Sequence, residues 1–260
     1  MQRYNIKAFD CPNAYRQVLN TIWYWGDIFT VGYGSEETET KKIHVSIEIT
    51  HPENRPLLDD KAPCDYKYVQ EYALTYLWAL PDKLDTSTYT YGGRLREPID
   101  QILEIINRFR EERNDRQCTA VIRRPEDIFK FKREEGKTYP DAGGFVTISP
   151  VEPKMVKNDP PCLSLLDYEI LDGKLNCEAY FRSWDAYAGL PANIAGIQIV
   201  NEAIAAELEV VTGTLIFHSK NVHVYKRQYK FVQELMESKP KEERWFDGSK
   251  VVKLVEIKQG

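Results

Sequence analysis

The stretch SLLDYEILDGKLNCEAYF, Ser164 to Phe181, decides the fold class of this chain. Residues 164–170 and 174–181 alternate apolar and polar side chains, and this period of two predicts two strands. Leu171-Asp172-Gly173 lies between them, and an Asp-Gly pair suits a tight turn. We therefore expect an antiparallel β-hairpin that belongs to a larger sheet.

Helical periodicity is clearest in residues 193–208, whose apolar positions form one stripe suited to a core. The segments 12–25, 66–80 and 98–110 show the same spacing and predict three further helices. Three sets of side chains are expected to be buried. In the first helix they are Tyr15, Val18, Leu19, Ile22 and Trp23; in the third, Ile99, Ile102, Leu103, Ile105, Ile106 and Phe109; in the last, Ile194, Ile197, Val200, Ile204 and Leu208.

Shorter runs complete the predicted architecture. Strands are expected at 42–49, 119–122, 144–148, 214–217, 221–225 and 251–255, and loops at 51–63 and 89–96. Residues 133–159 are polar and rich in glycine and proline, which predicts an inserted loop or lid. Together these segments predict an α+β fold in a single domain over residues 1–260, with a mixed sheet packed on one long buried helix.

Composition excludes several classes of protein. The chain has 260 residues, 42% hydrophobic and 29% charged, and a net charge of −5, which argues against a general nucleic-acid binder. It contains no apolar run of the roughly 18 residues that a membrane span needs, and Met1 to Lys7 lack the apolar region of a signal peptide. Five widely spaced cysteines without a CxxC pair indicate neither a disulfide framework nor a structural zinc site. We expect a cytoplasmic protein without a metal.

Cys162, which follows two prolines, is the candidate nucleophile. Its thiolate could add to C6 of a pyrimidine and turn C5 into a carbanion, and a cation such as Arg182 would lower the thiol pKa. The alternative is a buried structural cysteine just before a strand, which is the usual role of a lone cysteine. We assign that role to the other four cysteines, Cys11, Cys64, Cys118 and Cys177.

Downstream polar residues could hold a nucleotide over this thiol. Arg182 and Ser183 offer a planar fork and a hydroxyl to a phosphate, or a strand-end salt bridge instead. Asn193 could donate to uracil O4 and accept from N3–H, or could simply cap a helix. His223 and Tyr225 share one face of a strand and could bind a sugar hydroxyl, or could be ordinary half-buried residues.

These residues, taken in order, resemble the thymidylate synthase family, including its archaeal-type members and the related pyrimidine-nucleotide hydroxymethylases. Five short motifs between residues 89 and 225 carry the resemblance. They are Tyr91-Gly92 with Asp100-Gln101, Pro161-Cys162, Arg182-Ser183-Trp184-Asp185, Gly189-Leu190-Pro191-Ala192-Asn193-Ile194, and His223-Val224-Tyr225. The resemblance implies a thymidylate synthase-like fold whose sheet face forms a homodimer.

The resemblance also implies roles for individual residues. Cys162 is the nucleophile, Arg182 and Ser183 bind the nucleotide phosphate, and Asn193 reads the base. Asp185 and Gly189 belong to the folate site, Asp185 also contacting ordered water, and Tyr91 belongs to the catalytic set. His223 and Tyr225 contact the sugar, and Glu71 is matched to the glutamate that manages protons around O4. Arg116 reaches the phosphate held by a dimer partner.

Three positions depart from the family pattern. Many members have histidine directly after the nucleophile; this chain has Leu163 there, as archaeal-type members do. Asp115-Arg116-Gln117 stands where the family has Ser-Arg-Arg, so one phosphate-binding arginine is missing, and Arg55 is the candidate to compensate. The chain ends at Gly260 without the apolar residue that closes over the folate in the family.

Three hypotheses for function follow. The first is a thymidylate synthase that methylates dUMP with methylenetetrahydrofolate, or an archaeal pterin analogue. The second is a 5-hydroxymethylase on dUMP, dCMP or CMP, in which water replaces the hydride; a site less closed to water would favour it. The third is a nucleotide-binding relative without catalysis. The two enzymatic hypotheses imply a pyrimidine nucleoside monophosphate and a folate as partners, and none implies nucleic acid or a membrane.

Overall fold

The computed structural model describes residues 3–33, 36–78, 89–128, 131–133, 155–157 and 160–238. The strands in these ranges are β1 (Arg3–Ala8), β2 (Asp27–Tyr33), β3 (Glu36–Ile49), β4 (Thr119–Val121), β5 (Phe131–Arg133), β6 (Met155–Lys157), β7 (Leu163–Leu171), β8 (Lys174–Phe181), β9 (Trp184–Asp185) and β10 (Val211–Tyr225). The helices are α1 (Cys11–Trp25), α2 (Tyr66–Glu71), α3 (Tyr91–Arg96), α4 (Gln101–Glu111), α5 (Leu190–Glu207) and α6 (Tyr229–Glu237). This content confirms the predicted α+β class.

Eight of the described strands form one mixed sheet, whose central path is β1-β3-β10-β8-β7-β4. β2 pairs with β3, and β9 pairs with β10. β10 runs antiparallel to β3 but parallel to β8 and β9, so both kinds of ladder meet on this strand. β5 and β6 form a separate antiparallel pair. β10 therefore connects the two halves of the sheet.

The predicted hairpin is confirmed as β7 and β8, paired from Leu163 with Phe181 to Leu171 with Lys174. Its turn consists of Asp172 and Gly173, with φ of 51° and 72°. Two consecutive left-handed residues are typical of the two-residue hairpin turn that matches the twist of the strands. Residues 160–162 directly precede β7 and residues 182–185 directly follow β8, so both motifs lie at the end of the hairpin opposite its turn.

Two helices cover one face of the sheet. α1 packs against β1 and β3, and α5 packs against β8 and β10. The α5 stripe predicted from sequence is buried along its whole length. In α1 four of the five predicted residues are buried and Trp23 is half-buried.

The other face of the sheet carries polar side chains that stay partly open to solvent. Ser46 on β3, His218 on β10 and Glu178 on β8 occupy adjacent positions there. Ser46 Oγ lies 3.0 Å from His218 Nδ1, and His218 Nε2 lies 3.3 Å from Glu178 Oε2. The alternate residues of the same strands point into the core, as period-two strands require.

Three predicted elements need correction. Residues 89–96 were expected to form a loop, but Tyr91–Arg96 is helical because Thr90 caps the backbone of Gly93 at 3.0 Å. The predicted strands 214–217 and 221–225 are one strand, β10, with a bulge between Ser219 and Val222. β1 and β2 were not predicted.

Two predicted helices also differ. Residues 66–78 start as α2 but continue as a π-helical segment, Tyr72–Trp78. α4 begins after Asp100, whose carboxylate caps Leu103, rather than at Pro98. Ile99 therefore lies before the helix and is 65% exposed, and Leu103, within α4 and also expected to be buried, is 50% exposed.

Some predictions fall outside the described residues. These are the strands at 144–148 and 251–255, and most of the segment 133–159, of which only 133 and 155–157 are described. Within the described residues, no helix is long and apolar enough to cross a bilayer.

Candidate active site

Cys162 and Arg182 lie side by side where the hairpin strands end. The backbone N–H of Arg182 donates to the carbonyl of Cys162 at 2.9 Å. The Arg182 guanidinium donates through Nε to the carbonyl of Pro161 at 2.9 Å and through Nη2 to that of Pro160 at 2.5 Å. A single cation thus fixes the two residues before a half-buried thiol. The fold thus brings the backbones of Cys162 and Arg182 together.

Tyr91 connects this thiol to a cluster of tyrosines. The backbone N–H of Leu163 donates to the Tyr91 hydroxyl at 3.4 Å, directly after Cys162. The Tyr91 ring lies 5.0 Å from that of Tyr76, edge to face, and the Tyr76 ring lies 5.4 Å from that of Tyr72. Burial raises the pKa of Tyr91 and of Tyr72 well above the usual value, so both stay protonated at neutral pH.

Of the other four cysteines, Cys11, Cys118 and Cys177 are buried as expected, whereas Cys64 is half-buried. Burial raises the pKa of Cys11 and Cys118, that of Cys64 to about 11 and that of Cys177 to about 12. A raised pKa leaves little thiolate at neutral pH, which makes a cysteine a poor nucleophile. All five cysteines lie in the described part of the chain, and none of them forms a disulfide there.

Asn193 lies in the first turn of α5 and does not cap it. Its Oδ1 accepts a hydrogen bond from the Trp184 indole Nε1–H at 2.8 Å, and its Nδ2 donates to the Tyr72 hydroxyl at 2.6 Å. Gly189 precedes the helix, and its carbonyl accepts from the Asn193 backbone N–H at 3.0 Å. The half-buried carboxamide is therefore held at both ends by side chains from two other elements.

Asp185 is held as a carboxylate acceptor at the end of β9. Its Oδ1 accepts from the backbone N–H groups of Tyr187 and Ala188, both at 3.0 Å. Gln228 Nε2 donates to Oδ2 at 2.9 Å, while Gln228 Oε1 accepts from the Tyr225 backbone N–H at 2.9 Å. Gln228 thus joins Asp185 to the strand that carries His223 and Tyr225, which sequence reasoning did not identify.

His223 and Tyr225 share one face of β10, as predicted. Their rings meet edge to face with centroids 4.8 Å apart. His223 pairs with Asp185 across the two strands, and its Nδ1 lies 3.3 Å from the carbonyl of Asn221. Since a carbonyl only accepts, Nδ1 carries the proton and Nε2 is the acceptor in the neutral ring. Asn221 Nδ2 also donates to Ser183 Oγ at 3.1 Å, which links Ser183 to this strand.

The burial of His223 predicts an acid-sensitive step in stability. Desolvation lowers its pKa below 6.5, so the unfolded state binds more protons between the two values. Stability from the neutral ring is therefore complete above about pH 6.5 and is lost as pH falls through the folded pKa. As pH falls below about 6.5, we expect wild type to lose stability relative to His223→Gln, which has no such group. Urea unfolding of both proteins above and below this pH measures the difference, and parallel curves would contradict it.

Three predicted residues lie apart from this group. Arg116 lies two residues before Cys118, whose carbonyl accepts a hydrogen bond from the Tyr168 backbone N–H. Six residues of extended strand, about 20 Å, separate Tyr168 from Cys162. Arg116 itself is exposed. Arg55 Nη2 donates to both carboxylate oxygens of Glu202, at 2.8 and 3.0 Å, and Glu202 lies about 13 Å along α5 from Asn193.

Glu71, the third, ends α2 with an exposed side chain. Its neighbour Tyr72, which the sequence did not single out, is the residue that contacts Asn193. Trp184 was likewise treated as the variable position of its motif. The one feature of the sequence that could have indicated a role for Trp184 is a large indole between the polar residues Ser183 and Asp185.

Comparison with known proteins identifies the group to which this arrangement belongs. The sequence pattern described as Thymidylate synthase matches residues 67–253. The chain belongs to the thymidylate synthase family. Family membership makes it an enzyme that transfers one-carbon units, and the family binds a nucleotide and a cofactor of the methylenetetrahydrofolate type.

Several relatives match over most of their length. A protein of Methanosarcina acetivorans named "Putative thymidylate synthase" is 29% identical over 234 residues, which are 89% of this chain and 94% of that protein. A protein of the same name from Methanothermobacter thermautotrophicus is 25% identical over 245 residues, 90% of this chain and 98% of its own. The "Thymidylate synthase" of Listeria monocytogenes is 29% identical over 144 residues, 55% of this chain and 38% of that protein.

Asp185 leaves an acceptor that an organic cofactor of this family could use. Its Oδ2 accepts only from Gln228 among the described residues, so it can accept a further hydrogen bond. Among the same residues, no three His, Cys, Asp or Glu side chains are grouped so that they could hold a metal ion.

Proposed function

We propose that this enzyme is a thymidylate synthase that methylates C5 of dUMP through a covalent bond from Cys162 to C6. The observation that carries the proposal is the anchoring of the Pro160–Cys162 segment by the Arg182 guanidinium, beside a protonated Tyr91. These contacts fix the backbone that carries the nucleophilic thiol, and a phenol next to the reacting carbons can hold a proton in place.

Arg182 and Ser183 would bind the nucleotide phosphate. The guanidinium has five N–H donors, and among the described residues two of them are used on carbonyls, so Nη1 can donate to an anion. The Ser183 hydroxyl accepts from Asn221 and can donate its own proton to the same anion. Both residues lie between β8 and β9, and the Arg182 backbone N–H bonds to the carbonyl of Cys162, so the phosphate site would lie next to the residue that carries the thiol.

The remaining residues would bind the base, the sugar and the cofactor. Asn193 would read the base edge, and His223 and Tyr225 would bond the sugar hydroxyl, with His223 Nε2 as acceptor. Asp185 and Gly189 would hold the methylenetetrahydrofolate, or an archaeal pterin analogue, which supplies the one-carbon unit and the hydride. Glu71 would have to turn toward the base to act on O4, since its side chain is exposed.

We further propose a homodimer that uses the open face of the sheet. Two observations support it: the polar side chains of that face remain partly exposed in one chain, and Arg116 is two residues from Cys118, which bonds to Tyr168 about 20 Å along β7 from Cys162 of the same chain. In a two-fold dimer, Arg116 would bind the phosphate in the partner's site. Arg55 would contribute only after leaving Glu202.

A mixed dimer tests this arrangement. Arg116→Ala and Cys162→Ala chains should each be nearly inactive alone, because every site lacks one residue. Refolded together in equal amounts, they should recover about a quarter of wild-type activity, because half the dimers contain one intact site. Gel filtration with light scattering gives the mass of each sample. A fully active monomer, or no recovery in a confirmed mixed dimer, would rule out a shared site.

Two wider proposals accompany this function. Five cysteines without a disulfide in the described residues support a reducing compartment such as the cytoplasm. We also keep the proposal that residues 1–260 form one domain, with 133–159 as an insertion.

Product mass tests the reaction itself. The protein is incubated with methylenetetrahydrofolate and, separately, with dUMP, dCMP and CMP. A gain of one CH2 on dUMP together with dihydrofolate would support the synthase. A gain of CH2O without oxidation of the folate would identify a hydroxymethylase instead. If no nucleotide gives a product, two explanations remain: the enzyme uses an archaeal pterin donor, or the protein is a relative without catalysis.

A further inference from the structure

We propose that Trp184 makes the site selective for uracil by fixing which end of the Asn193 carboxamide is the acceptor. This inference rests on the proposed function, since it assumes that a pyrimidine meets Asn193. A carboxamide can serve uracil or cytosine, because a half-turn about its last bond exchanges oxygen and nitrogen. Selectivity therefore depends on what prevents that turn.

Trp184 can hold the carboxamide in one orientation because an indole N–H only donates. Its Nε1–H donates to Asn193 Oδ1 at 2.8 Å. After a half-turn, the Asn193 NH2 group would face this N–H, two donors would oppose each other, and a buried hydrogen bond would be lost. Oδ1 keeps a second lone pair and Nδ2 a second hydrogen, which suit uracil N3–H and O4.

The indole itself cannot move aside. Trp184 is 2% exposed and stacks on Phe181 with ring centroids 4.1 Å apart and planes 3° apart. Phe217 lies against it at 5.4 Å. Its backbone pairs with Val222 of β10, so both backbone and ring are held by the core.

Tyr72 restrains the carboxamide differently. Its hydroxyl can donate or accept, so it tolerates either orientation of Asn193 and limits only the position of the group. The ring is pinned against α5 at Gly196, where a Cβ would lie 2.8 Å from Tyr72 Cδ1. The two contacts of Asn193 therefore predict different outcomes when each is removed.

Calorimetric titration with dUMP and dCMP separates the two roles. Wild type should bind dUMP about 10- to 100-fold more tightly than dCMP. To serve dCMP the carboxamide must turn, which leaves its NH2 group facing the Trp184 N–H, and this lost hydrogen bond sets the size of the difference. Trp184→Phe, which keeps a stacking ring but no donor, should bring this ratio below about threefold. Tyr72→Phe is the matched variant: both affinities should fall together, and the ratio should stay within about threefold of wild type.

Two controls separate a local effect from loss of the fold or of the proposed function. Deoxyribose 5-phosphate should bind all three proteins equally, because it carries no base. If wild type binds neither nucleotide, the proposed function fails before this inference is tested. A folded Trp184→Phe protein that keeps the wild-type ratio overturns the inference, as does loss of selectivity in Tyr72→Phe alone.

A measurement on the unaltered chain covers the case in which Trp184→Phe does not fold. The indole N–H of Trp184, followed by nitrogen-15 NMR, should exchange with solvent slowly in the free protein and in the dUMP complex. Exchange as fast as that of an exposed indole in either state would contradict a fixed hydrogen bond to Asn193.

Discussion

Replacing Cys162 with alanine should lower kcat by about 10⁴-fold or more while leaving dUMP affinity within a few-fold of wild type. The thiol supplies a covalent bond that no neighbour can replace, because burial raises the pKa of each of the other four cysteines. Nucleotide binding depends on other side chains, held by their own contacts. Turnover with saturating methylenetetrahydrofolate and calorimetric titration of dUMP measure the two quantities separately.

Cys64→Ala is the matched control, since Cys64 is also half-buried and has a thiol pKa of about 11. It should retain wild-type kcat and a similar melting temperature. Unchanged turnover in the Cys162→Ala protein would remove both enzymatic hypotheses. A drop in dUMP affinity as large as the drop in kcat would instead indicate that Cys162 supports the site structurally.

Replacing Arg182 with lysine should lower kcat/KM by about 10³-fold, although the charge is kept. The guanidinium donates to the carbonyls of Pro160 and Pro161 at once, and a lysine ammonium cannot reproduce that planar fork. Two charge-assisted hydrogen bonds, at about 1.5 to 3 kcal/mol each, set the size of the effect. The segment that carries Cys162 would lose its anchor, so kcat should fall together with phosphate affinity.

Arg110→Lys provides the control for this substitution, because Arg110 forms an exposed ion pair with Glu207 on the surface. It should leave kcat/KM unchanged within about twofold, as expected for a surface pair. Steady-state kinetics with dUMP and the rate of alkylation of Cys162 compare the variants. If Arg182→Lys keeps wild-type kcat and only raises KM, the anchoring role of Arg182 is wrong and phosphate binding alone remains.

Much of the fold could be predicted from periodicity, and the reason is local. The hairpin of β7 and β8 and the stripe of α5 each have one buried face, which leaves a clear pattern in the sequence. β1 escaped prediction because it lies at the edge, with a short and partly exposed pattern. α3 escaped because its two glycines favour a turn, whereas a capping threonine and a buried ion pair between Arg94 and Asp127 stabilise a helix.

The candidate site divides in the same way. Motif residues such as Cys162, Arg182 and Asn193 could be found because their chemistry is recognisable at short spacing. The residues that orient them, Trp184 and Gln228, could not, because their roles depend on contacts between elements far apart in sequence. The π-helical segment that carries Tyr72 has no pattern distinct from an α-helix, so its approach to α5 is visible only in three dimensions.

The close approach of Tyr72 to Gly196 has a consequence for the variability of this site. Any side chain at position 196 would lie less than 3 Å from both Tyr72 and Leu77, so a larger residue at 196 requires both of these side chains to shift or to be smaller. Such a change would alter the support of Asn193, because Tyr72 contacts its carboxamide. A search for altered base specificity should therefore vary positions 72, 77 and 196 together with position 184.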